Sequence, residues 1–345
     1  MTQVLLSKEK LADFITFLGT ERKVIAPVAL GDGQFKLAEV TSLDEMSLHQ
    51  IPTILPPKKY SLPQHETLLK YDISDGQRME AVIEVEKLVL FGIPSCDLSG
   101  IQCLDQVFST PPCDEHYLIR KKYLSLIGLE CNDVCDSFSS CALQGDHLPK
   151  AGYDLFFSEL NEVFFVDIQT VKGAELVEKS QLFQEMNASA AAELTELREL
   201  KIERFKTERA NKAVDFPALF DQTFDSPVWE QLGARCLACG NCTNVCPTCY
   251  CFDVQDEPDF NLTTGRRIRV WDSCQNEEFA KVAGGESFRL QRSDRQRHRF
   301  HRKFSYPLAR YNRLFCTGCG RCSRTCMAGI DLQETIQSLR AELEA

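Results

Sequence analysis

Residues 236–247 read CLACGNCTNVCP, and residues 316–326 read CTGCGRCSRTC. Each segment spaces its cysteines as C-x2-C-x2-C-x3-C, with a glycine after the second cysteine. The repeat lies in the C-terminal third of a 345-residue chain. Its thiols are closer together than the separated C-x2-C pairs of most zinc sites.

This spacing predicts two [4Fe–4S] clusters in a ferredoxin-like arrangement, because three cysteines of a run bind one cluster and the fourth binds its neighbour. Gly240 and Gly320 let backbone N–H groups approach the inorganic sulfides and tune the reduction potential. Met327 replaces the proline that usually follows such a run, and proline is not a ligand. The predicted ligands are Cys236, Cys239, Cys242 and Cys326 for cluster 1, and Cys316, Cys319, Cys322 and Cys246 for cluster 2.

Composition and charge indicate the cellular compartment of the chain and the class of partner it binds. The N-terminal segment mixes charged residues into its apolar run, unlike a secretory signal, and no apolar stretch approaches the roughly 20 residues of a membrane span. We therefore expect a cytoplasmic protein whose seventeen cysteines bind metal and do not form disulfides. The formal net charge of −11 argues against nucleic-acid binding and suits docking onto protein partners.

Apolar periodicity predicts an α+β fold in three parts. These are a mixed α/β domain over residues 1–170, a helical connector over 171–228, and an enlarged dicluster ferredoxin-like domain over 229–345. The local elements expected in the first two parts are a helix over 1–20, a strand pair over 24–40, buried strands over 87–94 and 122–130, a hairpin over 153–169, and a solvated charged helix over 171–211.

The N-terminal part holds a candidate third four-thiolate site. Each of the two buried strands runs straight into a cysteine, and a loop at a strand end is a rigid place for a ligand. Cys103 and Cys113 compete for the same role, although Cys103 lies on a predicted helix and can equally face the core. The candidate ligands of the third site are Cys96, Cys131, Cys135 and Cys141.

The segment between the two runs, residues 247–315, carries features of its own. Cys249, Cys251 and Cys274 could ligate an extra cluster or support the first one, or they could be buried small apolar residues. The basic run over 289–304 could stabilise reduced clusters, dock a partner's acidic face, or form a basic helix without a special role.

Several segments resemble one family of iron–sulfur proteins, and the resemblance covers most of residues 50–335. The family comprises the beta subunit of cytoplasmic nickel–iron hydrogenases (sulfhydrogenases) and an iron–sulfur subunit of anaerobic sulfite reductase, with related chains beside heterodisulfide-reductase-type flavin complexes. The segments that carry the resemblance are GIPSCDLSGIQCLDQVF, AGYDLFFSEL, CLACGNCTNVCPTCYCFDV, GRRIRVWDSC and CTGCGRC.

The resemblance implies an electron relay between a flavoprotein partner that exchanges hydride with NADH or NADPH and a catalytic redox subunit of the hydrogenase, sulfite reductase or heterodisulfide reductase type. It also favours the third cluster in the N-terminal part. One departure concerns Ser139, Ser140 and Cys141, which stand where the family commonly has Cys-Phe-Cys. One ligand is therefore displaced, and Cys135 is its expected replacement.

Signs of independent catalysis are lacking in the sequence. No G-x-G-x-x-G follows a strand, and neither G-x-S-x-G nor H-E-x-x-H occurs. We expect an electron-transfer subunit that carries out no bond chemistry alone. The alternatives are a self-contained iron–sulfur flavoenzyme and a redox-sensing iron–sulfur protein.

Overall fold

A computed structural model describes residues 2–48, 52–74, 77–148, 151–206 and 214–344. The strands are β1 (Thr2–Ser7), β2 (Lys23–Gly31), β3 (Gln34–Val40), β4 (His65–Asp72), β5 (Arg78–Ala81), β6 (Leu88–Ile93), β7 (Leu124–Leu129), β8 (Leu155–Glu159), β9 (Val163–Ile168), β10 (Gln184–Glu185), β11 (Phe252–Pro258) and β12 (Thr264–Trp271). The α-helices are α1 (Leu11–Gly19), α2 (Ser95–Phe108), α3 (Glu115–Tyr123), α4 (Cys141–Gln144), α5 (Val171–Ser180), α6 (Ala188–Arg204), α7 (Phe216–Gln222), α8 (Pro227–Arg235), α9 (Asn241–Asn244), α10 (Arg292–Phe304), α11 (Tyr306–Tyr311), α12 (Arg321–Arg324) and α13 (Leu332–Glu344).

The N-terminal sheet has eight strands in the order β10-β1-β9-β8-β7-β6-β2-β3. Its centre is parallel, since β2, β6, β7 and β8 pair in that sense, and the outer pairs are antiparallel. Every residue of β6 and β7 is buried, which is typical of central parallel strands covered on both faces. The carboxyl ends of β6 and β7 therefore meet at one edge, close to Cys96 and Cys131.

Two apolar layers cover this sheet. Phe14 of α1 and Leu176 of α5 pack on one face with Phe157, and Leu98 and Ile101 of α2 pack on the other. The helices on both faces explain why the sheet tolerates long apolar strands, and they confirm the predicted mixture of helix and sheet.

The predicted helix over residues 1–20 is wrong at its start. Residues Thr2–Ser7 form β1, which pairs with β9 along its whole length, and the α-helix begins only at Leu11. Leu5 and Leu6 point to opposite faces and are both buried, so the strand gains core contacts on each side. Packing outweighs a weak helical periodicity in this short stretch.

The two predicted strand pairs and the two buried strands are confirmed. The expectation that loops carry the N-terminal cysteines needs correction at two positions. Cys96 lies in the first turn of α2, and Cys141 begins α4. Both cysteines are therefore held by helical backbone as well as by the strand ends.

The predicted helix over 171–211 is interrupted, and residues 207–211 lie outside the described residues. Helix α5 ends at Ser180, and β10 joins the edge of the N-terminal sheet before α6 begins. The expected solvated charge face is wrong at Lys201, which is buried and donates from Nζ to Glu130 Oε1 at 2.9 Å. A buried carboxylate needs this cationic partner.

A second sheet ties the insertion between the cysteine runs to the N-terminal part. Its order is β11-β12-β4-β5, so strands from before and after residue 240 share one ladder. Arg269 of β12 is buried and pairs with Glu66 of β4 at 2.5 Å. Around Trp229 and Phe300, a separate apolar core supports the C-terminal helices. No helix in the described ranges is long and apolar enough to cross a membrane.

Candidate iron–sulfur centres

The first cysteine run forms a loop between α8 and α9 at the protein surface. Cys236 caps the end of α8, and Ala238 and Gly240 both adopt positive φ angles, +52° and +73°. The sharp turn this produces lets Cys239 reach the surface, where it is exposed. The cavity here is lined by all four cysteines predicted for cluster 1, which are Cys236, Cys239, Cys242 and Cys326. Their ligation of iron stays a prediction.

The second run lies deeper. Burial raises the pKa of Cys316, and the neighbouring Cys322, Cys319 and Cys246 raise it further. Cys246 thus joins the second group although it belongs to the first run, as the crossed assignment requires. Cys322 also lines the cavity of the first group. The two predicted cluster sites are therefore direct neighbours.

The predicted third site assembles at the carboxyl edge of the N-terminal sheet. The pKa of Cys141 is raised by burial and then by Cys131 and Cys135. Burial likewise raises the pKa of Cys96, with Asp97, Cys319 and Cys141 adding to the shift. The backbone N–H of Ser95 donates to the Cys131 sulfur. Burial nevertheless raises the pKa of Cys131 overall, and this hydrogen bond opposes part of that shift.

The competing cysteines lie apart from this group. Cys103 is fully buried on α2 and its Sγ donates to the carbonyl oxygen of Leu314 at 3.7 Å, so it faces the core. Cys113 is exposed, and its Sγ donates to the carbonyl oxygen of Ser109 at 3.1 Å. The structure thus brings together the four cysteines favoured for the third site.

Close contacts join the third group to the second run. The backbone N–H of Ser140 donates to the carbonyl oxygen of Gly318 at 2.7 Å. A Cβ atom on Gly318 would lie 2.4 Å from the backbone nitrogen of Cys141, so only glycine fits here. Arg321 forms a two-pronged, fully buried ion pair with Asp97 at 2.6 and 2.7 Å. These bonds fix the N-terminal cysteines beside Cys319.

The basic run forms α10, and its inner face turns toward the cysteines. Arg299 and Lys303 are buried, and Lys303 hydrogen-bonds to the sulfurs of Cys246 and Cys249. Gln296 donates from Nε2 to the Cys236 sulfur at 2.9 Å. Of the three interpretations of this run, the placement favours stabilisation of anionic clusters for Arg299 and Lys303.

One contributor lies far from the cysteine runs in the sequence. Lys58 is buried and donates from Nζ to the carbonyl oxygen of Cys249 at 2.8 Å. Burial lowers its pKa to about 8, against the opposing effect of Cys249 and Cys246. In the sequence, Lys58 follows Pro56 and Pro57, which restrict the backbone but do not by themselves predict a buried lysine.

The residues around the three groups fit iron–sulfur clusters. The donors are soft thiolates, which select this kind of centre, and metal binding would release their protons. Ser95 Oγ, Thr317 Oγ1 and Arg299 Nε are buried without a hydrogen-bond partner among the described residues. Such donors suit the sulfides and thiolates of a cluster. No group of three or more side chains in the described ranges is arranged to hold a single metal ion.

Two comparisons with known proteins bear on the C-terminal domain and on the whole chain. Residues 235–330 match the family described as 4Fe-4S dicluster domain, which confirms the predicted ferredoxin-like domain within the α+β fold. The chain is 34% identical over 348 residues to sulfhydrogenase 2 subunit beta of Pyrococcus furiosus, covering 99% of this chain and 100% of that relative. No solved structure matches the chain.

Proposed function

Because the chain belongs to the sulfhydrogenase beta-subunit family, we propose that it relays electrons between an NAD(P)H-oxidising flavoprotein partner and a catalytic redox subunit of a cytoplasmic complex. Its family and its dicluster domain make it an iron–sulfur electron-transfer subunit. The catalytic subunit we expect is of the hydrogenase type, with the sulfite reductase and heterodisulfide reductase types as the other members of the class.

The observation that carries the proposal is the serial order of the three cysteine groups. Cys322 of the second group lines the cavity of the first group, and Cys319 of the second group lies near enough to Cys96 of the third to add to the burial that raises the Cys96 pKa. When bound, each [4Fe–4S] cluster would accept and donate one electron. The protein's own residues hold the thiolates, exclude water and place cations such as Arg299 between neighbouring groups.

Both ends of this series reach the surface, as a relay between two partners requires. At the first end, Leu237 is 61% exposed and Met327 is 84% exposed beside the exposed Cys239. At the other end, Cys131 and Cys135 line an open cavity of about 450 Å³. Exposed apolar side chains next to a redox site suit a protein partner, because surface patches of this kind mark interaction sites.

The test is anaerobic purification from the native host with partners retained, followed by iron, sulfide and flavin analysis. We expect a co-purifying flavoprotein and no flavin on this chain. Cys239→Ser and Cys96→Ser should each remove about four irons per chain and interrupt electron transfer between the partners. Cys113→Ser is the matched control, since this exposed thiol lies outside the three groups.

Other outcomes would replace the proposal. A lone chain with bound flavin and NAD(P)H oxidase activity would identify a self-contained flavoenzyme. Oxygen-labile clusters on a chain that binds no redox partner would indicate a sensor. Full iron content in Cys96→Ser, together with lower stability, would leave the relay standing on the ferredoxin-like clusters and make Cys96 structural.

A further inference from the structure

Three cysteines outside the groups described above meet in one cavity. Cys249 and Cys251 lie between α9 and β11, and Cys274 follows β12. All three line a cavity of about 380 Å³, a size found for ligand and cofactor sites. The Cys274 thiol donates to the Cys251 sulfur, so two of the thiols are already in contact.

The same cavity collects several cationic side chains. Arg299, Arg302 and Lys303 line it, and Lys58 lies behind Cys249. Within the described ranges, none of these four side chains forms an ion pair with a carboxylate. The partners they do have include Thr248 Oγ1 for Lys303 at 2.6 Å, together with the sulfurs of Cys246 and Cys249, and the Trp271 ring for Lys58 at 4.2 Å.

Buried cations without carboxylate partners need other anions, because an uncompensated buried charge destabilises a protein. Arg299 Nε, in a side chain only 5% exposed, has no hydrogen-bond partner among the described residues. The clusters predicted for the first two groups account for Arg299, but small apolar packing by the three cysteines would not explain why Lys58 and Arg302 lie beside Cys249 and Cys251. Soft thiolates and a multiply charged anion are both properties of an iron–sulfur cluster.

We infer that Cys249, Cys251 and Cys274 bind an additional [4Fe–4S] cluster, whose negative charge is balanced by Lys58, Arg299 and Lys303. A [4Fe–4S] cluster has four irons, so the iron that these three thiolates do not bind needs another ligand. The site adjoins the second predicted cluster, because Cys246 and Cys249 share a hydrogen bond. Cluster binding here does not depend on which partners the chain has, so it can fail while the relay stands.

The test uses the full-length chain, purified anaerobically, with Cys251→Ser and Cys274→Ser as separate variants. Each should contain about four fewer irons and four fewer acid-labile sulfides than the wild type, and the double variant should lose no more. Cys113→Ser should keep the wild-type content. The electron paramagnetic resonance signal of the reduced protein should lose one component in both site variants and none in the control.

Two results would overturn the site. The first is wild-type iron and sulfide content in both serine variants. The second is a Cys251–Cys274 disulfide found by alkylation and mass spectrometry of the iron-loaded protein, which would make the pair a dithiol switch.

If the serine variants do not fold, the wild-type iron count decides. About sixteen irons, falling to about twelve in Cys96→Ser, require a cluster here in addition to the three proposed for the relay. About twelve irons, falling to about eight in Cys96→Ser, would exclude it and leave the relay intact.

Discussion

The two cysteine runs share one spacing but lie in different surroundings. Cys239 is exposed and Leu237 beside it is 61% exposed, whereas at the equivalent positions of the second run Cys319 is buried and Thr317 is 3% exposed. The first loop faces solvent, and the second is enclosed by the N-terminal domain. Spacing thus predicts which thiols group together, while neighbouring residues decide whether a group can meet a partner protein.

The difference extends to the residues between the cysteines. Asn241 in the first run donates from Nδ2 to the Thr325 carbonyl oxygen at 2.9 Å, whereas Arg321 in the equivalent position pairs with Asp97. Ala238 keeps a positive φ in the first run, and its equivalent Gly318 packs against the backbone of Cys141. The second run therefore packs against the N-terminal domain, whereas the hydrogen bond of Asn241 in the first run stays within the C-terminal domain.

Removing the buried ion pair should have the largest effect. Arg321→Met leaves Asp97 buried without its partner, so the free energy of unfolding should fall by about 3–5 kcal/mol. Asn241→Met at the equivalent position loses one partly buried hydrogen bond, about 1 kcal/mol. Anaerobic urea denaturation of both variants measures the difference. Equal losses would mean that enclosure by the N-terminal domain does not distinguish the two loops.

Gly318→Ala should separate the second run from the third cysteine group. The added Cβ would meet backbone atoms at 2.4 Å, and overpacking of this kind destabilises by about 1–3 kcal/mol beyond the penalty for a positive φ. Gly329→Ala is the matched control, because Gly329 has a similar φ of +60° with open space around it. Thermal denaturation should place Gly318→Ala clearly below the control, and coinciding midpoints would contradict the close contact.

The sequence predicted the parts of this molecule that depend on local spacing. The crossed ferredoxin ligands follow from two runs of 11 or 12 residues, and the third group follows from cysteines placed after Leu88–Ile93 and Leu124–Leu129. Contacts between distant segments were not predictable. Lys58 reaches Cys249 across 191 residues, and Arg321 reaches Asp97 across 224. Hydrophobic periodicity in the sequence does not indicate which distant residues will pair.

The same limit explains the misread beginning of the chain. Residues Thr2–Ser7 become a strand because β9, far along the chain, offers them a ladder. A single sequence shows apolar residues at Leu5 and Leu6 but not the strand that will pair with them. Burial of Lys201 beside Glu130 was hidden for the same reason, since the i,i+4 charge pairs around Lys201 suggested an ordinary solvated helix.

A partner protein should dock on the exposed loop of the first cysteine run. Leu237→Asp puts a charge into the apolar patch beside Cys239, and it should weaken partner binding about tenfold, or about 1.4 kcal/mol, without changing iron content. Phe260→Asp is the control, since Phe260 is also an exposed apolar residue but lies at the tip of the β11–β12 hairpin. Binding of the purified partners to each iron-loaded variant is measured by interferometry. Unchanged affinity in Leu237→Asp would mean that the partner docks on another surface.

Ala238→Gly should have the smallest effect and should differ in sign from its counterpart in the second run. Alanine at a φ of +52° is strained by about 1–2 kcal/mol, which glycine relieves, while the greater freedom of glycine in the unfolded chain removes about 0.5–1 kcal/mol. The net gain in the free energy of unfolding should therefore be below about 1.5 kcal/mol. The backbone N–H that donates to Cys236 Sγ at 3.3 Å is retained, so iron content should not change. Urea denaturation and iron analysis test both statements. A clear loss of stability would show that the Ala238 methyl group makes a contact the folded protein needs, and the first loop would then be as tightly fitted as the second.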